Sequence, residues 1–243
     1  MTQPLKPGSL LIIVPALNEE GAVGLLIQEI RNVIPGVPVL VLDDCSTDAT
    51  AAVARGAGAD VMSMPTHLGL GGMMQAGYRL AFELGYEYVI RLDGDGQHDP
   101  KYIPAIFETL RNSGCQMVIG SRFADPGQQY TSVIRAWGIR FFRTILRPIL
   151  GKPVHDPTSG YVGVNREALG VFSRSFPLEY PEIEALVVLQ RRAFQFQEIP
   201  VAARPRQAGK STITPSRSLY YIIHVLLGVF VNILRFERHR WRR

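Results

Sequence analysis

The chain has 243 residues, of which 47% are hydrophobic and 19% are charged, and this balance predicts a globular unit with a sizeable core rather than a disordered chain. The net charge is +5, with arginines concentrated at 135–147 and 235–243, so we expect an anionic partner. No recognisable nucleic-acid-binding module accompanies these arginines, which favours phosphate groups and anionic lipid headgroups over nucleic acid. Cys45 and Cys115, in a chain without a secretory signal, are expected to be reduced thiols in the cytosol.

The first part of the chain alternates predicted strands with predicted helices. Apolar runs at 9–14, 37–42 and 60–64 predict strands, and helices are predicted at 19–33, at 49–55 and up to Leu84. This alternation is typical of βαβ units around a parallel sheet. Asn18 is predicted to cap the first helix, with Glu19 and Glu20 in its first turn, where acids suit the positive end of the helix dipole.

A glycine-rich stretch at 67–78 invites comparison with a dinucleotide-binding loop. A G-x-G-x-x-G pattern starting at Gly69 would require glycine where Met74 stands, so that interpretation fails. The glycines are instead predicted to let a loop and a helix approach the sheet closely.

The stretch RLDGDGQHDP at 91–100 follows an apolar run at 85–90 that predicts a buried strand. Asp93, Asp95 and Asp99 therefore gather where that strand ends, and their mutual repulsion favours a bound cation. Asp-Gly pairs also form ordinary turns, so a plain turn stays open as an alternative. Asp99 is predicted to cap a helical segment that starts at Pro100.

The second part of the chain continues with strands predicted at 116–120, 162–164 and 196–201, and with helices at 133–150 and 181–193. On the 133–150 helix, Arg140, Arg143 and Arg147 share one face, whereas Arg135 falls on the opposite, mostly apolar side. An unpaired charge on an apolar face needs a partner, so Arg135 is a candidate binding residue.

The segment 218–236 is apolar but carries a narrow polar stripe, and a basic tail follows it. This pattern predicts a helix that lies in the membrane interface, and a division into a domain at 1–215 and a membrane-interfacial unit at 216–243. A helix that simply packs on the domain stays open.

Four motifs, taken together, resemble family 2 glycosyltransferases of the GT-A fold, and specifically the polyprenyl-phosphate sugar synthases. They are VPALNEE at 14–20, Asp43-Asp44 with Ser46-Thr47-Asp48, Asp93-x-Asp95-x-Gln97, and Arg206-x-x-Gly209-x-Ser211. The resemblance implies an α/β fold: a Rossmann-like nucleotide-sugar-binding domain with a mostly parallel sheet flanked by helices. It also implies a nucleotide-sugar donor, a polyprenyl-phosphate acceptor and Mg²⁺ or Mn²⁺.

The resemblance assigns roles to individual residues. Pro15, Ala16, Asn18 and Glu19 would line the nucleotide pocket, Asp43 with or without Asp44 would bind the base, and Asp93 would lie by the ribose and sugar. Asp95 and Gln97 would bind the metal, Arg206 and Ser211 would close over the diphosphate, and Arg122 and Arg135 would hold the acceptor phosphate. The loop Ser159-Gly-Tyr-Val-Gly lacks an arginine found at this place in dolichyl-phosphate mannose synthases, which leaves the sugar open.

The acceptor determines what chemistry the site needs. A sugar hydroxyl needs a general base, for which Asp156 and Glu182 are candidates, whereas a lipid phosphate is already anionic and needs only positioning by arginine. A loop turn at Asp156 and a helix N-terminus at Glu182 stay open as structural roles for these two acids. We therefore expect an inverting, metal-dependent transfer of a hexose or N-acetylhexosamine from a UDP- or GDP-sugar to a polyprenyl phosphate, by a protein peripheral to the cytoplasmic membrane face. Transfer to a glycan hydroxyl, a sugar nucleotidyltransferase and a non-catalytic membrane scaffold are the alternatives, and a small membrane protein partner or a homo-oligomer is left open.

Overall fold

The computed structural model describes residues 9–124 and 133–204, with side chains from residue 140 onward in the second range. The predicted membrane-interfacial unit at 216–243 and its boundary with the preceding domain lie outside these residues. No helix in the described ranges combines the length and the apolar composition needed to cross a membrane.

The strands of the described residues form one sheet. They are β1 Leu10–Ala16, β2 Val39–Asp43, β3 Asp60–Ser63, β4 Tyr88–Arg91, β5 Met117–Ser121, β6 Val162–Asn165 and β7 Phe196–Pro200. Their order across the sheet is β3-β2-β1-β4-β6-β5-β7. β6 runs antiparallel to both β4 and β5, and the other neighbours are parallel. The predicted mostly parallel sheet is confirmed.

Helices cover both faces of the sheet. They are α1 Val23–Val33, α2 Thr50–Gly56, α3 Gly69–Glu83, α4 Ile103–Asn112, α5 Val133–Leu150, α6 Arg166–Phe172 and α7 Pro181–Gln190, with a 3₁₀ turn at Pro100–Tyr102. Side chains of β1 alternate between two cores: Leu11 and Ile13 pack in the core that contains α3, α6 and α7, whereas Ile12 and Val14 pack in the core that contains α1 and α4. The continuous apolar run of this strand thus reflects burial on both faces.

The first helix begins later than its sequence predicts. It starts at Val23, and no side chain caps it, so the prediction of an Asn18 cap and of Glu19 and Glu20 in the first turn is wrong. Asn18 has a left-handed backbone (φ 55°), and its side-chain oxygen accepts a hydrogen bond from the Thr47 N–H at 2.8 Å. The physical reason is competition: the capping oxygen is used to join two loops instead of ending a helix.

Gly71 and Gly77 of α3 show the close approach that the glycine-rich stretch predicts. A Cβ atom placed on Gly77 would lie 2.6 Å from Leu42 Cδ1 of the sheet. A Cβ atom on Gly71 would collide with the backbone of Pro177 and Leu178, in the loop before α7. These glycines therefore serve packing.

Replacement of Gly71 by alanine is expected to lower the free energy of unfolding by about 1–3 kcal/mol, because a backbone neighbour cannot move aside as a side chain can. Urea denaturation measures this change. Gly56→Ala is the matched control, since that helical glycine has no atom within 4 Å of an added Cβ. Equal stability of the two variants would contradict the close approach.

Candidate functional site

Three loops meet where β1, β2 and β4 end. Parallel pairing places Ala16 beside Asp43 and Ile13 beside Arg91, so the carboxyl ends of these strands point the same way. The Asp44 N–H donates to the Ala16 carbonyl at 3.0 Å, and the Gly94 N–H donates to the Pro15 carbonyl at 3.1 Å. Pro15 and Ala16 thus join the loop after β2 to the acid-rich loop after β4, at the edge where ligands bind in open α/β sheets.

The loops after β1 and β2 are held together by side chains. The Asn18 N–H donates to Ser46 Oγ at 2.9 Å, and the Glu19 N–H donates to Thr50 Oγ1 at 2.8 Å. Glu20 completes the pairing, because its carboxylate accepts from the Ala49 N–H at 2.8 Å. Asn18 and Glu19, expected at a nucleotide pocket, are therefore fixed beside the loop that follows Asp43 and Asp44.

The two acids at the end of β2 have different surroundings. Asp43 accepts a hydrogen bond from the Ser46 N–H at 3.1 Å. Asp44 accepts from the N–H groups of Leu68 and Gly69, at 2.7 and 3.0 Å, and contacts His67 Nδ1 at 2.8 Å. Both oxygens of Asp44 therefore anchor the start of α3.

Asp93 is held by the residue that ends β4. Arg91, only 3% exposed, donates from Nε and Nη2 to Asp93 Oδ1 at 3.1 and 2.8 Å, and Nη2 also donates to Glu182 Oε1 at 3.0 Å. Burial raises the pKa of Asp93, but the charge and hydrogen bonds of Arg91 outweigh it, so the net pKa is lowered. Asp93 is thus kept as a carboxylate.

Asp95 and Gln97 lie in the same turn, whereas Asp99 bonds to Lys101 and Arg204. Asp95, 7% exposed, accepts from the Gln97 N–H at 3.0 Å. Asp99 caps the 3₁₀ turn, accepting from the Lys101 N–H at 3.0 Å, as its sequence predicts. Within the described residues no three His, Cys, Asp or Glu side chains gather as a metal site, and the assignment of Asp95 and Gln97 to a metal stays a prediction.

Asp95 and Gln97 nevertheless fit a cation that also binds substrate. They offer a carboxylate and an amide oxygen, the ligand types that Mg²⁺ and Mn²⁺ prefer. Mg²⁺ in particular uses one or two protein carboxylates together with substrate phosphates and water, rather than a full protein cage. The donor set therefore fits a phosphate-bound cation better than a structural metal.

Arg122 and Asp156 form a two-bond ion pair. Arg122 Nε and Nη2 donate to the two Asp156 oxygens at 2.7 and 2.8 Å, and the Arg122 N–H donates to the same carboxylate at 3.0 Å. The Asp156 side chain is fully buried, whereas that of Arg122 is 17% exposed. Burial lowers the pKa of Arg122, but the hydrogen bonds and charge of Asp156 have the larger effect, so the net pKa is raised. Asp156 is therefore the partner of an arginine, and this geometry does not favour it as a general base.

Gly160 lies in the loop that carries Asp156, and it allows this loop to approach Asp93 closely. A Cβ atom on Gly160 would lie 2.6 Å from Asp93 Oδ2 and 2.8 Å from Arg91 Nη2. Only glycine permits that approach, so the loop that carries Asp156 packs directly on the Arg91–Asp93 pair. The residues expected at the donor and at the acceptor are thereby neighbours.

The basic loop after β7 starts from the acid-rich turn. The Arg204 N–H donates to the Gln97 carbonyl at 3.0 Å, and Arg204 Nη2 donates to Asp99 Oδ1 at 2.7 Å. Arg206 and Ser211, expected to close over a diphosphate, follow in the chain but lie outside the described residues, and so does the side chain of Arg135. The described part of the chain thus places the origin of that loop beside Gln97.

Sequence reasoning did not assign Arg91 or His98 to the site. His98 is 8% exposed, accepts the Asp93 N–H at Nδ1 over 3.0 Å and stacks on the Tyr161 ring at 5.0 Å between centroids. Burial lowers the pKa of His98, which favours the neutral ring that this bond requires. A signal for Arg91 was present, because a charge that ends an apolar strand needs a partner. No comparable signal in the sequence points to His98.

Replacement of Asp156 by asparagine is expected to lower the free energy of unfolding by about 3 kcal/mol, since it breaks a buried ion pair. Chemical denaturation measures this loss. Asp60→Asn, at the start of the edge strand β3, is the control and should change stability little. Unchanged stability with abolished activity would instead support Asp156 as a base.

Comparison with known proteins agrees with this geometry. The family model described as glycosyl transferase family 2 matches residues 11–172. The polyprenol monophosphomannose synthase of Mycolicibacterium smegmatis is 29% identical over 224 residues, which cover 85% of this chain and 81% of that protein. The undecaprenyl-phosphate mannosyltransferase of Micrococcus luteus is 27% identical, with 84% and 87% covered.

Solved structures show the same fold. Glucosyl-3-phosphoglycerate synthase from Mycobacterium tuberculosis, crystallised with Mn²⁺, UDP and phosphoglyceric acid, superimposes with a TM-score of 0.72 at 23% identity, covering 95% of this chain and 85% of that one. The predicted GT-A fold is thereby confirmed. Because the family model spans well over half of the sequence, this chain belongs to glycosyl transferase family 2.

Proposed function

We propose that this glycosyltransferase moves a hexose or N-acetylhexosamine from a UDP- or GDP-sugar to a polyprenyl phosphate at the cytoplasmic face of the membrane. The observation that carries the proposal is the state of the two candidate bases. Asp156 is bonded to Arg122 and Glu182 to Arg91, so neither carboxylate is placed as an uncommitted base. An acceptor that is already anionic needs no base.

The donor half of the proposal rests on the loops that meet at the carboxyl ends of the strands. Pro15, Ala16, Asn18 and Glu19 would line the nucleotide pocket, and Asp43 would bind the base. Asp93 would face the ribose and sugar, and its buried arginine partner favours the ionised form that accepts hydroxyl hydrogen bonds.

Asp95 and Gln97 would hold Mg²⁺ or Mn²⁺ against the donor diphosphate. Such a cation offsets the negative charge that builds on the leaving oxygens without any proton transfer. Arg206 and Ser211, in the loop that starts at Arg204, would add further contacts to the diphosphate.

The acceptor half of the proposal rests on Arg122. Asp156 and Thr158 occupy its Nε and Nη2 atoms, and among the described residues no partner bonds to Nη1. That nitrogen has two N–H groups for a phosphate oxygen. Arg135 would supply a second positive charge from α5.

The proposed reaction is a single nucleophilic displacement at C1 of the sugar. An acceptor phosphate oxygen attacks C1 of the sugar and forms the new C–O bond, while the bond from C1 to the diphosphate oxygen breaks with inversion. The attacking oxygen carries no proton at neutral pH, so positioning and charge compensation by this chain suffice. One relative is named a polyprenol monophosphomannose synthase and the other an undecaprenyl-phosphate mannosyltransferase, which supports this acceptor.

The acceptor is tested by giving radiolabelled UDP- and GDP-sugars to membranes that contain the protein. We expect label in a lipid from which mild acid releases the sugar. Label found only in polymer would overturn the lipid-phosphate acceptor and favour transfer to a glycan hydroxyl.

The donor and metal are tested by thermal-shift screening. One nucleotide sugar together with Mn²⁺ is expected to raise the melting temperature, because a ligand that binds only the folded state stabilises it. At a donor concentration about 100 times its Kd the gain is about 2.7 kcal/mol. A chelator should remove most of the shift, and a shift that persists without metal would contradict the role given to Asp95 and Gln97.

A further inference from the structure

We propose that Arg91 is a positioning residue of the transferase, which holds Asp93 in place and joins it to the N-terminus of α7 through Glu182. The inference rests on the proposed function only in placing Asp93 at the donor. It adds a residue that neither the motifs nor the comparisons assign.

The geometry of the pair is specific to arginine. Nε and Nη2 both donate to a single oxygen, Asp93 Oδ1, and the same Nη2 donates to Glu182 Oε1. A lysine has one nitrogen and cannot reproduce this fork. One oxygen of Asp93 is therefore fixed, while Oδ2 makes no hydrogen bond to any residue that the structure describes.

The solvent exposure of Arg91, Glu182 and Asp93 shows which of these three side chains a ligand can reach. Arg91 is 3% exposed and Glu182 14%, whereas the Asp93 side chain is 36% exposed. Arg91 lies behind Asp93, shielded from solvent, so the part of this group that a ligand can reach is the Asp93 carboxylate. The guanidinium acts on the donor only through Asp93.

Gly160 extends the coupling to the other half of the site. Its backbone lies so close to Asp93 Oδ2 and Arg91 Nη2 that no side chain fits between them. The loop that carries Asp156, the ion-pair partner of Arg122, is thus in contact with the Arg91–Asp93 pair. A displacement of about 1 Å at such a place costs about a hundredfold in rate.

The experiment compares four variants, Arg91→Lys, Arg91→Met, Glu182→Gln and the double variant Arg91→Met/Glu182→Gln, with a control. The control is Arg79→Met, which replaces an exposed arginine paired with Glu83 on α3. Three quantities are measured: the melting temperature, the donor affinity by calorimetry without any acceptor, and kcat with whichever acceptor the wild-type protein uses. The donor is the nucleotide sugar selected by the thermal-shift screen.

We expect Arg91→Lys to fold, to bind donor about 10-fold more weakly and to lose about 10- to 100-fold in kcat. The double variant, from which one buried cation and one partly buried anion are removed together, should recover melting temperature relative to Arg91→Met and still lack activity. Glu182→Gln alone should lose only a few-fold, because both bonds between Arg91 and Asp93 remain.

Three results would overturn the inference. Recovery of activity together with stability in the double variant would make Arg91 purely structural, and a loss for Glu182→Gln as large as for Arg91→Met would make Glu182 the reacting group. Since donor affinity is measured without acceptor, a wrong polyprenyl-phosphate assignment leaves this test intact. Conversely, normal donor affinity in Arg91→Lys would refute the role of Arg91 and leave the proposed acceptor untouched.

Discussion

Replacement of Asp95 by alanine is expected to lower turnover by about a hundred- to a thousandfold, the cost of removing one preorganised electrostatic contact at developing charge. Asp95 contributes a 7%-exposed carboxylate at the turn after β4, next to Gln97. Its loss would leave a cation with the amide oxygen of Gln97 alone, too few protein ligands to hold it against the leaving diphosphate.

The measurement is the initial rate of transfer at saturating Mn²⁺, with melting temperature as the check of folding. Asp60→Ala is the matched control, because Asp60 lies at the opposite end of the parallel strands, where β3 begins. Transfer by Asp95→Ala at the wild-type rate would contradict the catalytic assignment, whatever the nature of the acceptor.

Replacement of Arg122 by methionine is expected to lower kcat/KM for the acceptor by at least about a hundredfold. Under the proposed function, the variant would remove a charge-assisted contact to the acceptor phosphate. It also leaves the fully buried Asp156 carboxylate without its arginine, which costs about 3–5 kcal/mol of stability.

The loss of stability must be separated from the loss of acceptor binding. The double variant Arg122→Met/Asp156→Asn removes both charges and should regain much of the stability while the acceptor defect remains. Donor-induced thermal shift should stay close to wild type in the double variant. Arg111→Met, an exposed arginine 3.6 Å from Glu108 on α4, serves as the control. A double variant with normal acceptor kinetics would show that Arg122 only supports the loop.

The role of Asp156 changes most between sequence and structure. Both a loop turn and a general base were consistent with its place in the His155-Asp-Pro-Thr-Ser-Gly segment. The two bonds from Arg122, 34 residues earlier in the chain, show an ion-pair partner instead. A carboxylate and a distant arginine carry no local pattern that links them, so this pairing is visible only in three dimensions.

Local hydrophobic patterns in the sequence predicted most strands and helices well. The apolar runs located the strands, and the helix at 133–150 is present with the predicted bounds. The helix α6 was missed although Asn165 caps it by accepting from the Ala168 N–H at 3.1 Å, a signal that is present in the sequence. Its seven residues are too few to show a clear helical period.

The resemblance of four motifs to family 2 glycosyltransferases predicted an α/β glycosyltransferase. Those motifs come together because strand ends in a parallel sheet gather at one edge and bring their loops with them. Hydrophobic periodicity reports which face of a segment is buried, but it does not report which strand pairs with which or in what direction. The antiparallel insertion of β6 between β4 and β5 was therefore not predictable. The same holds for Arg91: its need for a partner follows from a charge at the end of an apolar strand, whereas the choice of Glu182, 91 residues away, depends on how α7 packs.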